Sequence, residues 1–118
     1  GELSRVLLAI KSVMADLDRV PLLIFDEVDS GISGEVGNSI GEALKNLGQH
    51  HQVLTITHLH QVASRAKNQL AVSKEEIDGR TYTHVVELDH EGRIKELSRM
   101  LGGESDTIRE HARQLLEV

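Results

Sequence analysis

The sequence predicts an α/β fold, with a mostly parallel sheet flanked by helices and a C-terminal antiparallel hairpin. Two short runs, at 22–25 and 52–57, read as strands buried on both faces, as in a parallel sheet. Helical patterns alternate with these runs, an order that favours a parallel α/β core. A third observation, Asp78-Gly79 between stretches at 70–74 and 81–88, indicates the tight turn of an antiparallel hairpin at the sheet edge.

The first helix is predicted from apolar residues that recur at spacings of three and four. They form the apolar stripe of an amphipathic helix and comprise Leu3, Val6, Leu7, Ile10, Val13, Met14 and Leu17. Pro21 is expected to end this helix, because an internal proline removes a backbone hydrogen bond and clashes with the preceding turn. The strand at 22–25 follows, ends in Asp26-Glu27 and leads into a loop at 29–34 that contains glycine and serine.

A second helix is predicted from a further apolar stripe, with Gly48 as its terminator. The stripe comprises Val36, Ile40, Leu44 and Leu47. Gly37 and Gly41 lie one turn apart in it and would let another backbone approach closely. The second strand then ends at His58 and leads into a short helix, which holds Val62, Ala63 and Ala66.

Two more helices are predicted after the hairpin. The first covers 94–101 and is expected to end at Gly102-Gly103. The second begins near Ser105 or Thr107, and Thr107 and Glu110 have the spacing of a capping box. Its buried residues are expected to be Ile108, Ala112, Leu115 and Leu116.

Composition narrows the classes of function. The 118 residues carry a net charge of -6, so the chain as a whole is not a basic nucleic-acid-binding module. It has no cysteine, which excludes disulfides and thiolate metal sites. No apolar run approaches the roughly 18–20 residues that cross a membrane. No membrane partner is expected. Four basic residues are candidate DNA contacts, with solvated helix faces as the alternative: Arg5, Lys11, Arg65 and Lys67.

The acid pair Asp26-Glu27 is the strongest local feature. Ligands of parallel α/β sheets bind beyond the carboxyl ends of the strands, where this pair is expected to lie. The first acid can hold Mg²⁺ there, often through water. The second can polarise a water for attack on a γ-phosphate. The motif alone does not distinguish this role from that of a surface acid pair after a core strand.

His58 directly follows the second strand and is expected at the same sheet edge as Asp26 and Glu27. A histidine there can hydrogen-bond a phosphate oxygen, and the alternative is a polar cap of the next helix. The pairing favours the phosphate role, since two neighbouring strands both end in groups suited to phosphate chemistry. The other histidines are predicted to lie at the surface, with His60 the less certain because it is near His58: His50, His51, His60, His84, His90 and His111.

Gly1-Glu2 opens the first helix, and a helix N-terminus preceded by glycine offers backbone N–H groups to an anion. The alternative is a helix start without a ligand. Together with the strand 22–27, the loop 29–33 and His58, these residues resemble the second half of an ABC-type ATPase head. They correspond to the end of its signature motif, its Walker B strand, its D-loop and its switch histidine.

Two residues separate the branches of that superfamily. Transporter ATPases usually have proline after the Walker B glutamate and glutamine at the end of the signature motif, where this sequence has Val28 and Glu2. The stretches 1–5, 25–34 and 57–63 resemble the RecN-type DNA repair ATPases instead. So do Val-Ser-Lys at 72–74 and the stretch 97–103, so the resemblance spans essentially the whole chain. His60 is a departure, since that family often has proline there.

The resemblance implies a role for each matching residue. Asp26 would coordinate Mg²⁺ through water, Glu27 would be the general base or orient the water, and His58 would contact the γ-phosphate. Gly1 and Glu2 would contact ATP that is bound mainly by a second head. Asp29 and Ser30 would line the seam between the two heads.

The resemblance also implies that residues 1–118 are the C-terminal lobe of a head domain. The sequence contains no Gly-x-x-x-x-Gly-Lys-Ser/Thr, the loop that cradles the β- and γ-phosphates. In the family this loop lies in an N-terminal lobe beyond a long coiled coil. ATP and Mg²⁺ would need that lobe for tight binding, and the fragment alone is expected to be inactive.

The partners implied are the N-terminal lobe of the same protein, a second head in an ATP-dependent homodimer, and DNA through the full-length protein. The expected function is recombinational repair of double-strand breaks in the bacterial cytoplasm, at the nucleoid. Two alternatives stay open. One is part of a transporter nucleotide-binding domain, and the other is a non-catalytic interaction module of ABC-like shape.

Overall fold

The computed structural model describes residues 1–17 and 19–117, and within them it has five helices and four strands. In chain order these are α1 Glu2–Val13, β1 Leu22–Asp26, α2 Gly34–Leu47, β2 Gln52–Ile56, α3 His60–Ala63, β3 Leu70–Ile77, β4 Arg80–Glu87, α4 His90–Leu101 and α5 Asp106–Leu116. The predicted α/β class and the predicted order of elements are confirmed. The chain forms two compact units, Gly1–Arg65 and Ala66–Val118. None of the described helices combines the length and hydropathy needed to cross a bilayer.

The first unit is built on two parallel strands. β1 pairs with β2 in a register that runs from Leu22 opposite Gln52 to Asp26 opposite Ile56. Residues opposite each other in a parallel pair share a face, so one face carries Leu23 and Phe25. That face packs into a single apolar cluster with residues of α1, α2 and α3. The buried members are Leu8, Leu23, Phe25, Val28, Ile40, Leu44, Leu47 and Val62.

The expectation that both faces of these strands are buried is wrong. Ile24 is 59% exposed and Ile56 is 60% exposed, while their neighbour Phe25 is only 1% exposed. The strands alternate between buried and open positions because the described helices that pack on them do so on one face. A continuous apolar run therefore did not show whether helices of this chain cover one face of the strands or both.

Helix α1 forms as predicted, but its predicted stripe does not face the core. Leu3 is 85% exposed and Val13 is 87% exposed, whereas Leu8, outside the predicted stripe, is 4% exposed. The helix also ends at Val13, well before Pro21, and Leu17 lies in a turn where its N–H donates to the Met14 carbonyl at 2.9 Å. The apolar stripe thus lies on the face turned away from α2 and β1.

Two glycines of α2 allow the close approach that their spacing predicts. A Cβ on Gly41 would lie 2.5 Å from the Gln61 carbonyl oxygen, and one on Gly37 would lie 3.1 Å from Leu59 Cδ1. Both neighbours belong to the segment around α3, so glycine is what permits this contact between helices. The predicted end of α2 is confirmed too, because Gly48 is the residue at its C-terminal cap.

The second unit begins with the hairpin. β3 and β4 are antiparallel and are joined by Asp78-Gly79, whose φ angles are 50° and 77°. Positive φ at both turn residues is the geometry that the Asp-Gly pair favours. The hairpin is confirmed, but it forms a two-stranded sheet of its own, and the predicted position at the edge of the parallel sheet is wrong.

Helices α4 and α5 pack on each other through fully buried Ile94, Leu97 and Ala112. Ser105 caps α5 by accepting the Ile108 N–H at 3.3 Å, which decides between the two predicted starts. The predicted capping box is wrong, because Ser105 is the N-cap and Thr107 lies inside α5, and Glu110 pairs with Arg113 instead.

Two further features of this unit are the end of α4 and a partly buried arginine. Gly102 ends α4 at a φ of 112°, as its position predicts. Burial lowers the pKa of Arg93, whose guanidinium donates to the Ala66 carbonyl at 2.9 Å.

Candidate functional site

The carboxyl ends of β1 and β2 lie side by side, because Asp26 is the last residue of β1 and is in register with Ile56, the last residue of β2. The side chains of Asp26 and Glu27 are exposed at this edge, and His58 follows two residues after β2. A shallow cleft of about 270 Å³ opens here. Its lining residues are Glu27, Asp29, Ser30, Gly31, Ile56, Thr57 and His58.

The backbone of Glu27 lies in the left-handed region, with a φ of 59°. This conformation costs a residue with a side chain roughly 1–2 kcal/mol. Strain of this kind concentrates at functional sites, where the surrounding structure holds it. The surroundings here are a tight turn, since the Ser30 N–H donates to the Glu27 carbonyl at 3.0 Å. The turn directs the chain away from β1 immediately after the acid pair.

Asp29 lines the cleft but is only 2% exposed. Its Oδ2 accepts hydrogen bonds from the Thr57 hydroxyl and, at 3.0 Å, from the His58 backbone N–H. The same oxygen is 3.4 Å from Nδ1 of the His58 ring, whose side chain is 67% exposed. The Thr57 hydroxyl in turn accepts the Leu59 N–H at 3.0 Å. The loop after β1 is thus bonded to the loop after β2.

The start of α1 is bonded to the same region. The Ser4 hydroxyl donates to the Asp26 carbonyl at 3.0 Å, and the Arg5 guanidinium donates to the carbonyls of Ser30 at 2.9 Å and Val28 at 3.3 Å. Gly1 caps this helix, and a Cβ added to Gly1 would meet nothing within 4 Å. Packing within the described chain therefore does not require glycine at that position.

Sequence reasoning singled out Asp26, Glu27 and His58, and the structure brings them to one edge. It missed Thr57 and treated Arg5 as a DNA contact or a solvated cation, although Arg5 is bonded to the loop after β1. No local signal in the sequence identifies Thr57, because its partner Asp29 lies 28 residues earlier in the chain. No sequence signal identifies which carbonyls a mobile arginine side chain will reach.

One surface prediction among the histidines is wrong. His51 is 5% exposed, and its Nδ1 lies 2.5 Å from the Val20 carbonyl oxygen. It precedes β2, at the end of the parallel pair opposite His58. His60, whose placement was the less certain one, is half-buried in the first turn of α3. His58 is therefore the histidine that the fold places beside the acids.

The side chains available as ligands decide which metal ion this edge could hold. Among the described residues no group of three or more His, Cys, Asp or Glu side chains is arranged to hold an ion. Asp26 and Glu27 offer carboxylate oxygens, which suit Mg²⁺, and Mg²⁺ commonly takes only one or two carboxylates and fills its other positions with water and phosphate. The residues present thus fit a partial magnesium site and do not form a complete one.

A second, slightly larger groove of about 310 Å³ lies on α1. Its lining is entirely apolar and consists of Ala9, Ile10, Val13 and Met14. It offers no hydrogen-bonding or charged side chain, so it is unsuited to polar chemistry.

No protein-family model matches the chain. Curated relatives do: it is 50% identical over 103 residues to the DNA repair protein RecN of Xylella fastidiosa (strain Temecula1), a match that covers 87% of this chain and 18% of the relative. It is 48% identical to RecN of Streptomyces coelicolor over 120 residues, or 100% of this chain and 21% of that one. RecN of Bacillus subtilis is 45% identical over 119 residues, 99% and 21% of the two chains. The chain belongs to the RecN family.

This RecN-family chain spans about a fifth of the length of the curated relatives it matches. A solved chain, from work on ATP-driven dimerization and DNA-stimulated activation of SMC ATPases, has the same fold with a TM-score of 0.64 and 22% identity. That likeness covers 89% of this chain and 63% of the solved one. At this level of identity the likeness supports the fold class, and the family assignment rests on the RecN relatives.

Proposed function

We propose that this chain supplies one half of an ATP-hydrolysing site in a RecN-type DNA repair protein. The observation that carries the proposal is the edge where β1 and β2 end, since Asp26 is the last residue of β1 and both Glu27 and His58 line the cleft at this edge. The RecN relatives and the SMC-like fold are consistent with it. The reaction is phosphoryl transfer to water, for which positioned acids and cations are the main catalytic means.

Asp26 is proposed to hold Mg²⁺, through water or directly. When bound, the ion neutralises charge on the phosphate oxygens. Asp26 is exposed, and the Ser4 hydroxyl holds its backbone carbonyl, so its carboxylate remains available to a ligand. The rest of the coordination would come from the nucleotide and from a lobe that carries the phosphate-binding loop.

Glu27 is proposed to orient the attacking water and accept its proton. Its exposed carboxylate borders the cleft, and its left-handed backbone fixes the point from which the side chain extends. His58 is proposed to contact the γ-phosphate from the other side of the cleft. Its exposed ring can donate a hydrogen bond to a phosphate oxygen.

Gly1, Glu2 and Ser30 are proposed to serve a second copy of the head. Gly1 and Glu2 begin α1, whose N-terminal dipole suits an anionic phosphate, and the first turn of α1 is bonded to the loop that carries Ser30. ATP bound mainly by the partner head would lie against this surface. DNA repair in the cell, at the nucleoid, and DNA binding are proposed for the full-length protein, as is pairing with its N-terminal lobe.

The test is Glu27→Gln in the full-length protein. Because the amide keeps the shape but cannot take a proton, we expect ATP turnover to fall by about 10²–10⁴-fold while ATP binding stays within about threefold. Phosphate release and nucleotide affinity are the two measurements.

Glu35→Gln is the matched control, since Glu35 is an exposed glutamate in the first turn of α2, outside the cleft. It should leave both quantities unchanged. Lost ATP binding in Glu27→Gln with intact hydrolysis would refute the proposed role.

A further inference from the structure

Asp29 is the one carboxylate that is buried among the residues the structure describes. Burying a charged carboxylate is costly unless hydrogen bonds replace the lost water. The groups that donate hydrogen bonds to the Asp29 carboxylate therefore indicate the role of this buried side chain. Every recorded partner of Asp29 Oδ2 belongs to Thr57 or His58, in the loop after β2.

Asp29 contacts both the backbone and the ring of His58. The backbone N–H of His58 donates to Asp29 Oδ2 at 3.0 Å, and Nδ1 of the ring is 3.4 Å from the same oxygen. The Thr57 hydroxyl donates to this oxygen and accepts the Leu59 N–H at 3.0 Å, so it links the carboxylate to the next peptide as well. The main chain on both sides of His58 is held through one buried atom.

The ring orientation follows from this arrangement. With Nδ1 turned toward Asp29, Nε2 is the ring nitrogen left to face a ligand, and the ring as a whole is two-thirds exposed. A carboxylate behind one imidazole nitrogen fixes which nitrogen acts, as in metal and hydrolase sites where such partners orient a histidine.

We infer that Asp29 is a positioning residue that holds His58 for contact with the γ-phosphate. The inference rests on the proposed function and assigns Asp29 a place behind the site. At 2% exposure its side chain has almost no surface to offer a second head, which was the role expected from the resemblance. Asp29 therefore acts through His58 and does not itself touch the nucleotide.

The experiment is a double-mutant cycle in the full-length protein with Asp29→Asn, His58→Ala and both together. Asp29→Asn keeps the volume but replaces the carboxylate by a neutral amide, a weaker acceptor for the groups that meet at Oδ2, so it should loosen the ring. We expect ATP turnover to fall about 10- to 100-fold, as for other residues that orient a functional histidine, with the KM for ATP within about twofold. In the His58→Ala background the same substitution should change turnover by less than about twofold.

Asp16→Asn is the matched control. Asp16 lies 3.5 Å from Nδ1 of His50 in an exposed pair, so the chemical change is the same but the carboxylate is not buried. It should leave turnover unchanged in both backgrounds. Equal losses from Asp29→Asn with and without His58 would overturn the inference, since they would mean that Asp29 acts independently of the ring.

Two further outcomes are distinguishable. If His58→Ala retains full activity, the proposed role of His58 fails and the inference fails with it. If Asp29→Asn does not fold, Thr57→Val replaces it in the cycle, because valine keeps the shape and removes only the hydroxyl that bonds Asp29. Thr57→Val should lower turnover several-fold only where His58 is present, and an equal loss without His58 would overturn the inference.

Discussion

Glu27 combines a side chain that we propose to be functional with a backbone conformation that glycine would adopt more easily. Its φ of 59° follows directly after β1, where the chain leaves the strand in a turn closed by the Ser30 N–H. Retaining a glutamate there costs stability that a glycine would not. This combination is expected where the carboxylate itself is needed.

The strain at Glu27 gives a prediction about stability. Glycine relieves roughly 1–2 kcal/mol of left-handed strain and loses about 0.4–1 kcal/mol through the greater freedom of the unfolded chain. We therefore expect Glu27→Gly to be more stable than Glu27→Ala by about 0.5–1 kcal/mol, measured by urea unfolding of the 118-residue chain.

The same pair of substitutions at Glu35 is the control. Glu35 lies in the first turn of α2, where glycine is the poorer residue, so Glu35→Gly should be less stable than Glu35→Ala. The opposite signs at the two positions isolate the effect of backbone angle. An alanine at position 27 as stable as the glycine would show that the strain is absent.

For single residues, the sequence predicted which side chains belong to the candidate site better than it predicted their burial and hydrogen-bond partners. The acid pair and His58 are local signals, since each lies within two residues of the end of a recognisable strand. The burial of Asp29 is not local, because it depends on Thr57 and His58, 28 and 29 residues further along. The burial of His51 likewise depends on the Val20 carbonyl, 31 residues away. Composition near either residue gives no sign of these partners.

Among the elements, α2 shows how a spacing can predict a contact. Gly37 and Gly41 occupy successive turns of one face, and the segment around α3 lies against that face. Helix propensity alone would favour alanine at both positions by up to about 1 kcal/mol. Close approach to the Gln61 carbonyl is what makes the glycine at 41 favourable.

We predict that Gly41→Ala destabilises the chain by about 1–3 kcal/mol. The added methyl carbon would lie 2.5 Å from a backbone oxygen, so helices or loops must move apart to admit it. Urea unfolding measures the difference.

Ser39→Ala serves as the control, because Ser39 is an exposed residue of the same helix. It should change stability by no more than about 0.5 kcal/mol. Stabilisation by Gly41→Ala would mean that helix propensity outweighs the contact with Gln61.

Helix α1 shows the limit of the same kind of reasoning. Its periodicity correctly predicted a helix but not which face would be packed, and the residue it buries is Leu8. An apolar stripe indicates a helix face that is suited to burial, but it does not indicate which element packs on that face. In this chain α2 and β1 contact the opposite side, so the stripe lies open.

At the scale of the whole 118-residue chain, the candidate site lacks the loop that would hold a triphosphate. Glu27 and His58 line the cleft and the exposed Asp26 ends β1 beside it, while no Gly-x-x-x-x-Gly-Lys-Ser/Thr occurs in the 118 residues. Catalytic groups without a means of positioning the β- and γ-phosphates give little rate enhancement, because positioning supplies much of phosphoryl-transfer catalysis. The proposed activity therefore belongs to an assembly larger than this chain.

We predict that the 118-residue chain alone releases no phosphate from ATP above the buffer rate. The Glu27→Gln form of the same chain, purified in parallel, is the control for contaminating ATPases and should give the same trace. Turnover by the unsubstituted chain that vanishes in Glu27→Gln would contradict the prediction. It would mean that these residues bind and hydrolyse ATP unaided.

The sequence by itself determined the elements and their order, the Asp78-Gly79 hairpin and the acids and histidine that end the two parallel strands. These depend on backbone preferences and on spacings of a few residues, which a linear sequence contains. Only the tertiary structure decided which face of α1 and of the strands is packed, and that Asp29 is buried against Thr57 and His58. Burial and long-range hydrogen bonds depend on which elements meet in space, and that information is distributed over the whole chain.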